Sequence, residues 1–135
     1  VTIPFRYGNY LPTSPLEMIY KNQISDLHTL VLFDLDPTGM GIETPQPMKP
    51  KDAIDILQRM YDKLIFEEVI PKTSIEPINW RGILLSDIGT KDQKVSSGEL
   101  SKLSSLNKGN IHCMIIPAKF SEMEKEAFNR RRVVG

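Results

Sequence analysis

Leu27-His28-Thr29-Leu30-Val31-Leu32-Phe33-Asp34 is the stretch on which the fold turns. Six of its eight residues are apolar or β-branched, and none is Gly or Pro. A continuous apolar run of this length reads as a central strand covered on both faces. Asp26 precedes it and Asp34-Leu35-Asp36-Pro37 follows it. Pro37 cannot extend a ladder, and it biases Asp36 away from helix. In open α/β sheets ligands sit beyond the carboxyl ends of the strands. Leu32, Phe33 and Asp34 are therefore the first place to look for a site.

Two more apolar runs have the same character. Gly82-Ile83-Leu84-Leu85-Ser86-Asp87-Ile88-Gly89 reads as a second buried strand, and Ile111-His112-Cys113-Met114-Ile115-Ile116 as a third, stopped by Pro117. Val1 to Phe5 reads as a short strand near an edge, with Pro4 inside it. Helical patterns alternate with these runs. Lys51 to Leu64 is the clearest, with Ala53, Ile54, Leu57, Met60, Tyr61 and Leu64 on a 3.6-residue period. Three sequences match a capping box, in which a Ser side chain and a Glu three residues on satisfy each other's backbone amides. Ser14 and Glu17 would open a helix to Ile24 that buries Leu16, Ile19, Tyr20 and Ile24. Ser96 and Glu99 would open a short helix to Leu106, and Ser121 and Glu124 a last helix to about Arg131. The order β-α-β-α-β-α-β-α predicts an α/β layered domain with a central sheet.

The chain has 135 residues, 40% hydrophobic and 25% charged, which is ordinary for one globular domain. Lys plus Arg and Asp plus Glu both number 17, so the formal net charge is zero. That balance argues against a dedicated nucleic-acid binder. Cys113 is the single cysteine, which excludes an internal disulfide and makes a reducing, cytoplasmic setting the expectation. No apolar run approaches the roughly 20 residues of a membrane span. The opening Val1-Thr2-Ile3-Pro4 looks like mid-strand and suggests a fragment or a processed chain.

Residue chemistry alone leaves the function open. His28 and His112 each stand near the start of an apolar strand, with no second ligand at metal-binding spacing. A lone strand histidine reads as structural, its nitrogens satisfied by neighbours. No nucleophile elbow appears. Pro37 to Pro50 is rich in Gly and Pro, but Gly39-Met40-Gly41 fits neither a dinucleotide fingerprint nor a phosphate loop. Arg130-Arg131-Arg132 reads as the solvated negative end of a helix, with a patch for an acidic partner as the other reading.

A family resemblance is sharper. Gly8-Asn9-Tyr10-Leu11-Pro12-Thr13-Ser14, then Leu27-His28-Thr29-Leu30 leading into Phe33-Asp34, resembles diphthine synthase. So do Asp52-Ala53-Ile54, Gly89, Gly98 and Ile111-His112-Cys113-Met114-Ile115-Ile116-Pro117-Ala118-Lys119, in order across nearly the whole chain. The resemblance implies the C-terminal domain of the tetrapyrrole-methylase fold, a layered α/β domain with a mixed central sheet flanked by helices. It implies that residues 1–135 are that single domain and that the N-terminal cofactor-binding domain lies outside this chain. The implied activity is methyl transfer from S-adenosylmethionine to the modified histidine of translation elongation factor two. The implied setting is a cytoplasmic homodimer, without nucleic acid, membrane or metal. A corrin-precursor methyltransferase of the same fold is the alternative, and a stand-alone interaction module without catalysis is another.

By resemblance, the cofactor lies in the cleft between the two domains, and three contact positions fall here: Phe33, Ile88 and His112. No residue is assigned a catalytic acid or base. The chain departs from the family at Ser86-Asp87-Ile88, where a small residue and an Ala or Val usually precede the glycine. Phe33 and Ile88 stand at carboxyl ends of strands and His112 at an amino end. The three converge only if the third strand runs against the other two, which predicts a mixed sheet. With half the cleft elsewhere, this chain alone is expected to fold without methylating.

Overall fold

The structure, a computed structural model, describes residues 1–4, 10–36 and 46–133. The Gly39-Met40-Gly41 loop and Gly8-Asn9 lie outside the described residues. The elements in chain order are β1 (Thr2–Ile3), α1 (Ser14–Ile24), β2 (Thr29–Phe33), β3 (Leu35–Asp36), β4 (Gln46–Pro47) and α2 (Pro50–Phe66). A 3₁₀ turn (Pro77–Asn79) precedes β5 (Arg81–Ser86), β6 (Lys94–Glu99), α3 (Leu100–Leu103), β7 (His112–Ile116) and α4 (Glu122–Arg130). Five strands form one sheet in the order β1-β2-β7-β5-β6, and β3 pairs with β4 in a separate two-stranded ladder. β1 runs parallel to β2, whereas β7 is antiparallel to both its neighbours, and β6 is antiparallel to β5. The sheet is thus mixed, with the third apolar strand reversed, as the sequence predicts.

One face of the sheet builds the core. Val31, Leu84, Met114 and Ile116 point into it and meet Leu16 and Ile19 of α1, Leu57, Met60 and Leu64 of α2, and Leu100 and Leu103 of α3. The 3.6-residue apolar stripe of α2 accounts for its place in this layer. Gly82 is where α3 presses closest on the sheet. A Cβ there would collide with Leu100 and lie 3.3 Å from Leu103.

The opposite face is only partly covered, which corrects the expectation of a central strand buried on both sides. In β2, Thr29 and Val31 are buried, but Leu30 and Leu32 are 52% and 46% exposed. The cause is that α1, α2 and α3 contribute to one layer and α4 alone crosses the other. Register lines up two rows on the open face. Leu30, Ile115, Ile83 and Ser97 form one, and Leu32, Cys113, Leu85 and Val95 the other. Among the described residues no helix is long and apolar enough to cross a membrane.

Two of the three capping boxes are also corrected. α1 begins at Ser14 itself, with Thr13 in the cap position and no side-chain cap bond; the Glu17 amide donates to the Thr13 carbonyl. Ile24 on that helix is 68% exposed rather than buried. Ser96 and Glu99 belong to β6, where they oppose Leu84 and Arg81 in a hairpin with β5. The ladder has taken the backbone amides that a cap would have satisfied, and the helix starts only at Leu100. Ser121 and Glu124 do form the box, with both reciprocal bonds present. The arginine triplet after it lies against β6 through its backbone: the Ser97 amide donates to the Arg131 carbonyl and the Val133 amide to the Ser97 carbonyl.

Gly82→Ala should destabilise the domain by about 1–3 kcal/mol, the usual cost of overpacking a filled core. Urea unfolding of the two proteins measures it, and equal midpoints would show that Leu100 moves aside without penalty.

Candidate functional site

The reversal of β7 brings the three sequence-selected positions to one edge of the sheet. Phe33 ends β2 and His112 begins β7. Their rings lie side by side, with centroids 6.4 Å apart and planes tilted by 42°. Ile88 follows β5 by two residues and is 50% exposed at the same edge. Ile3 of β1 stands opposite Phe33 and is fully buried, closing the edge on the β1 side.

Two residues that sequence reasoning did not select hold this edge together. Ser86, the last residue of β5, stands opposite His112 in register. Its Oγ lies 2.8 Å from His112 Nδ1, and both side chains are buried. Asp87 then turns the chain in the left-handed region, at φ 50°. Its amide donates to the Ile111 carbonyl at 2.8 Å. Its carboxylate accepts from the Ile111 amide at 2.9 Å and the Asn110 amide at 3.1 Å. These backbone donors, Ile111 first, hold the Asp87 carboxyl below its usual range. Burial pushes the His112 imidazole below its ordinary value, and the nearby Asp87 charge and Gly109 carbonyl oppose that shift. Gly109 has to be glycine. It sits at φ 91°, and a Cβ would lie 2.9 Å from Asp87 Oδ2 and 3.2 Å from Ser86 Cβ. No sequence signal marks this pairing, because cross-strand register is non-local.

The edge carries Phe33, which packs partly against the core, and exposed Ile88, beside backbone groups at the strand ends. It offers no exposed acid–base pair. Among the described residues no cluster of His, Cys, Asp and Glu is placed to hold a metal ion.

His28 is elsewhere. Its Nδ1 accepts the Ala118 amide at 2.9 Å, and its Nε2 bonds Glu124 Oε2 at 2.6 Å. A ring nitrogen that accepts an N–H carries no proton, so Nε2 is the protonated one and donates to Glu124. His28 thereby ties the start of β2 to α4, which is the structural reading of a lone strand histidine. It borders a groove of about 530 Å³ between α4 and the open face, floored by Ile83, Val95 and Ile115. A second hollow, of about 450 Å³, lies at the far edge around Trp80, Arg81 and Ala118. Neither includes Phe33, Ile88 or His112.

No family model matches the chain. It is 27% identical over 131 residues to the diphthine synthase of Methanocorpusculum labreanum, covering 96% of this chain and 46% of that protein. It is 30% identical over 127 residues to that of Methanosphaera stadtmanae, covering 93% of this chain and 44% of the relative. The chain thus spans a little under half the length of the curated relatives it matches. Among solved structures, a putative diphthine synthase from Entamoeba histolytica superposes with a TM-score of 0.83 at 20% identity, over 99% of this chain and 50% of its own. A conserved hypothetical protein from Aeropyrum pernix K1 superposes with a TM-score of 0.77 at 22% identity, over 96% of this chain and 43% of its own. These likenesses establish the fold as that of the matching half of those structures, a mixed-sheet α/β domain of the tetrapyrrole-methylase fold.

The Glu124 carboxyl titrates at about 2, held down first by the Ser121 amide and then by His28. A lowered carboxylate pKa stabilises the folded state above the ordinary carboxyl range and loses that contribution as pH falls through the folded value. The attachment of α4 should therefore weaken between about pH 4.5 and pH 2. Amide shifts of Ser121 and Ala118 should report it, and Glu124→Gln should flatten that titration.

Proposed function

We propose that this homologue of the diphthine synthases is the C-terminal half of an S-adenosylmethionine-dependent methyltransferase of diphthamide biosynthesis. Its substrate in this reading is the modified histidine of translation elongation factor two. The observation that supports it most is that Phe33 and His112 lie side by side at the strand ends that Ile88 follows, an arrangement that a reversed β7 permits. The bound cofactor would supply an electrophilic methyl group on a sulfonium.

The residues present fit such a ligand. An adenine and a thioether call for apolar walls with a few directed polar contacts. Phe33 and Ile88 furnish the walls, and the backbone of residues 86–89 and 110–112 furnishes polar groups at fixed positions. Methyl transfer depends on aligning nucleophile, methyl and sulfur more than on acid–base groups. An edge without a catalytic triad is therefore consistent with the reaction. The other wall of the cleft belongs, in this reading, to an N-terminal domain. The apolar rows on the open face support a protein-covered surface in the whole enzyme, either that domain or a second copy in a homodimer.

The purified chain should fold and transfer no methyl group to elongation factor two. In the whole enzyme, His112→Ala should weaken S-adenosylmethionine binding by about 1 kcal/mol, the net value of one neutral hydrogen bond. Ile88→Asp should weaken it more, since it sets a charge against an apolar ligand. Calorimetric titration checks both, and affinities unchanged in both variants would remove the cofactor from this edge. Robust turnover by the 135-residue chain would refute the half-cleft reading.

The open face makes a separate prediction. The chain should self-associate at high concentration, and Leu30→Lys with Leu32→Lys should suppress this. Sedimentation velocity measures it, and a wild-type chain that stays monomeric would show that the exposed rows do not drive contact.

A further inference from the structure

The latch between Ser86 and His112 carries an inference that rests on the methyltransferase reading for its functional part. We infer that Ser86 is a positioning residue, whose hydroxyl fixes the His112 imidazole as its Nε2–H tautomer and so sets the 109–112 turn beside Phe33 and Ile88.

The tautomer follows from hydrogen-bond accounting. Ser86 and His112 are each only 6% exposed, so the bond between them carries most of the polar pairing of both side chains. The Ser86 hydroxyl makes one side-chain bond among the described residues, at 2.8 Å to His112 Nδ1. If Nδ1 carried the proton, it would donate to Ser86 Oγ, and the hydroxyl hydrogen would have no protein acceptor among the described residues. If Nδ1 is bare, the hydroxyl donates to it and both atoms are satisfied. A neutral imidazole with a bare Nδ1 has its hydrogen on Nε2. Burial disfavours the doubly protonated ring.

The positioning role follows from what the ring is fastened to. His112 opens β7, and the two residues before it are gripped by Asp87 through the Asn110 and Ile111 amides. Ser86 and Asp87 alternate along the chain. One therefore holds the turn from the core side and the other from the solvent side. The next residue is Ile88, the aliphatic wall. A single tripeptide, Ser86-Asp87-Ile88, thus supplies the two holding groups and one ligand wall. It is also where the chain departs from the pattern of the family it resembles, so the resemblance does not supply the latch.

Long-range proton–nitrogen correlation of the His112 ring, recorded on the labelled chain above the ring's titration range, tests the assignment. The wild type should show a pyridine-like Nδ1 and a pyrrole-like Nε2. Ser86→Ala should give a mixed-tautomer signature and faster amide exchange at Asn110 and Ile111. Ser86→Thr, which keeps the hydroxyl, should restore the wild-type pattern. In the whole enzyme, S-adenosylmethionine affinity should fall severalfold in Ser86→Ala and recover in Ser86→Thr. A pyrrole-like Nδ1 in the wild type would overturn the inference without any variant needing to fold. So would a tautomer unchanged in Ser86→Ala, or an unchanged affinity in that variant. Failure of S-adenosylmethionine to bind the whole wild-type enzyme, with the ring signature as expected, would instead count against the methyltransferase reading and leave the tautomer assignment standing.

Discussion

The antiparallel insertion of β7 between β2 and β5 is the constraint on which the rest depends. β2 and β5 both end at the edge that carries Phe33 and Ser86. A parallel β7 would place Ile116 there and send His112 to the far edge. The reversed strand instead delivers its first residue to the carboxyl ends of its neighbours. A buried imidazole then has a cross-strand hydroxyl within bonding distance. The turn before β7 has to be tight, because Gly109 leaves the ring, Ser86 and Asp87 no room for a Cβ.

The same sheet is strongly one-sided. Three helices share a dense core against Val31, Leu84, Met114 and Ile116, while α4 is joined to the other face at one corner. That joint is polar as well as apolar. His28 holds Glu124 and the Ala118 amide, Arg81 stacks on Phe120, and the chain after α4 bonds to Ser97. The open part of this face centres on Leu30 and Leu32, 52% and 46% exposed, while Ile83, Val95 and Ile115 floor the groove beside α4. Exposed leucines on adjacent rows are unusual on a surface that meets only water.

Legibility in the sequence followed the range of the interaction. The α2 stripe and the Ser121–Glu124 box are set by residues three or four apart, and both were readable. Ser96 and Glu99 present the same local signal as that box, yet they pair with residues in β5 more than ten positions away. A polar edge strand has no apolar period to compete with a capping pattern, so the hairpin was missed. β2 looked buried on both faces because a run of Leu, Val and Phe has the same appearance whether or not the second layer exists. At the edge, Phe33, Ile88 and His112 come from the resemblance alone, and Phe33 and His112 lie side by side. Ser86, Asp87 and Gly109 were not legible, since their roles arise only when register sets them around one ring.

The two histidines show how far residue type is from role. Each has Nδ1 engaged by a neighbour and belongs to an apolar strand segment. In His28 the acceptor role of Nδ1 is dictated by a backbone amide, which cannot reverse its polarity, and Nε2 is committed to a carboxylate. That ring is a fixed strut between β2 and α4. In His112 the partner of Nδ1 is a hydroxyl, which can donate or accept, and the pairing of that hydroxyl decides the balance. That difference in hydrogen-bond partners, rather than any difference in the strand sequences around them, separates the histidine that braces the fold from the one at the candidate site.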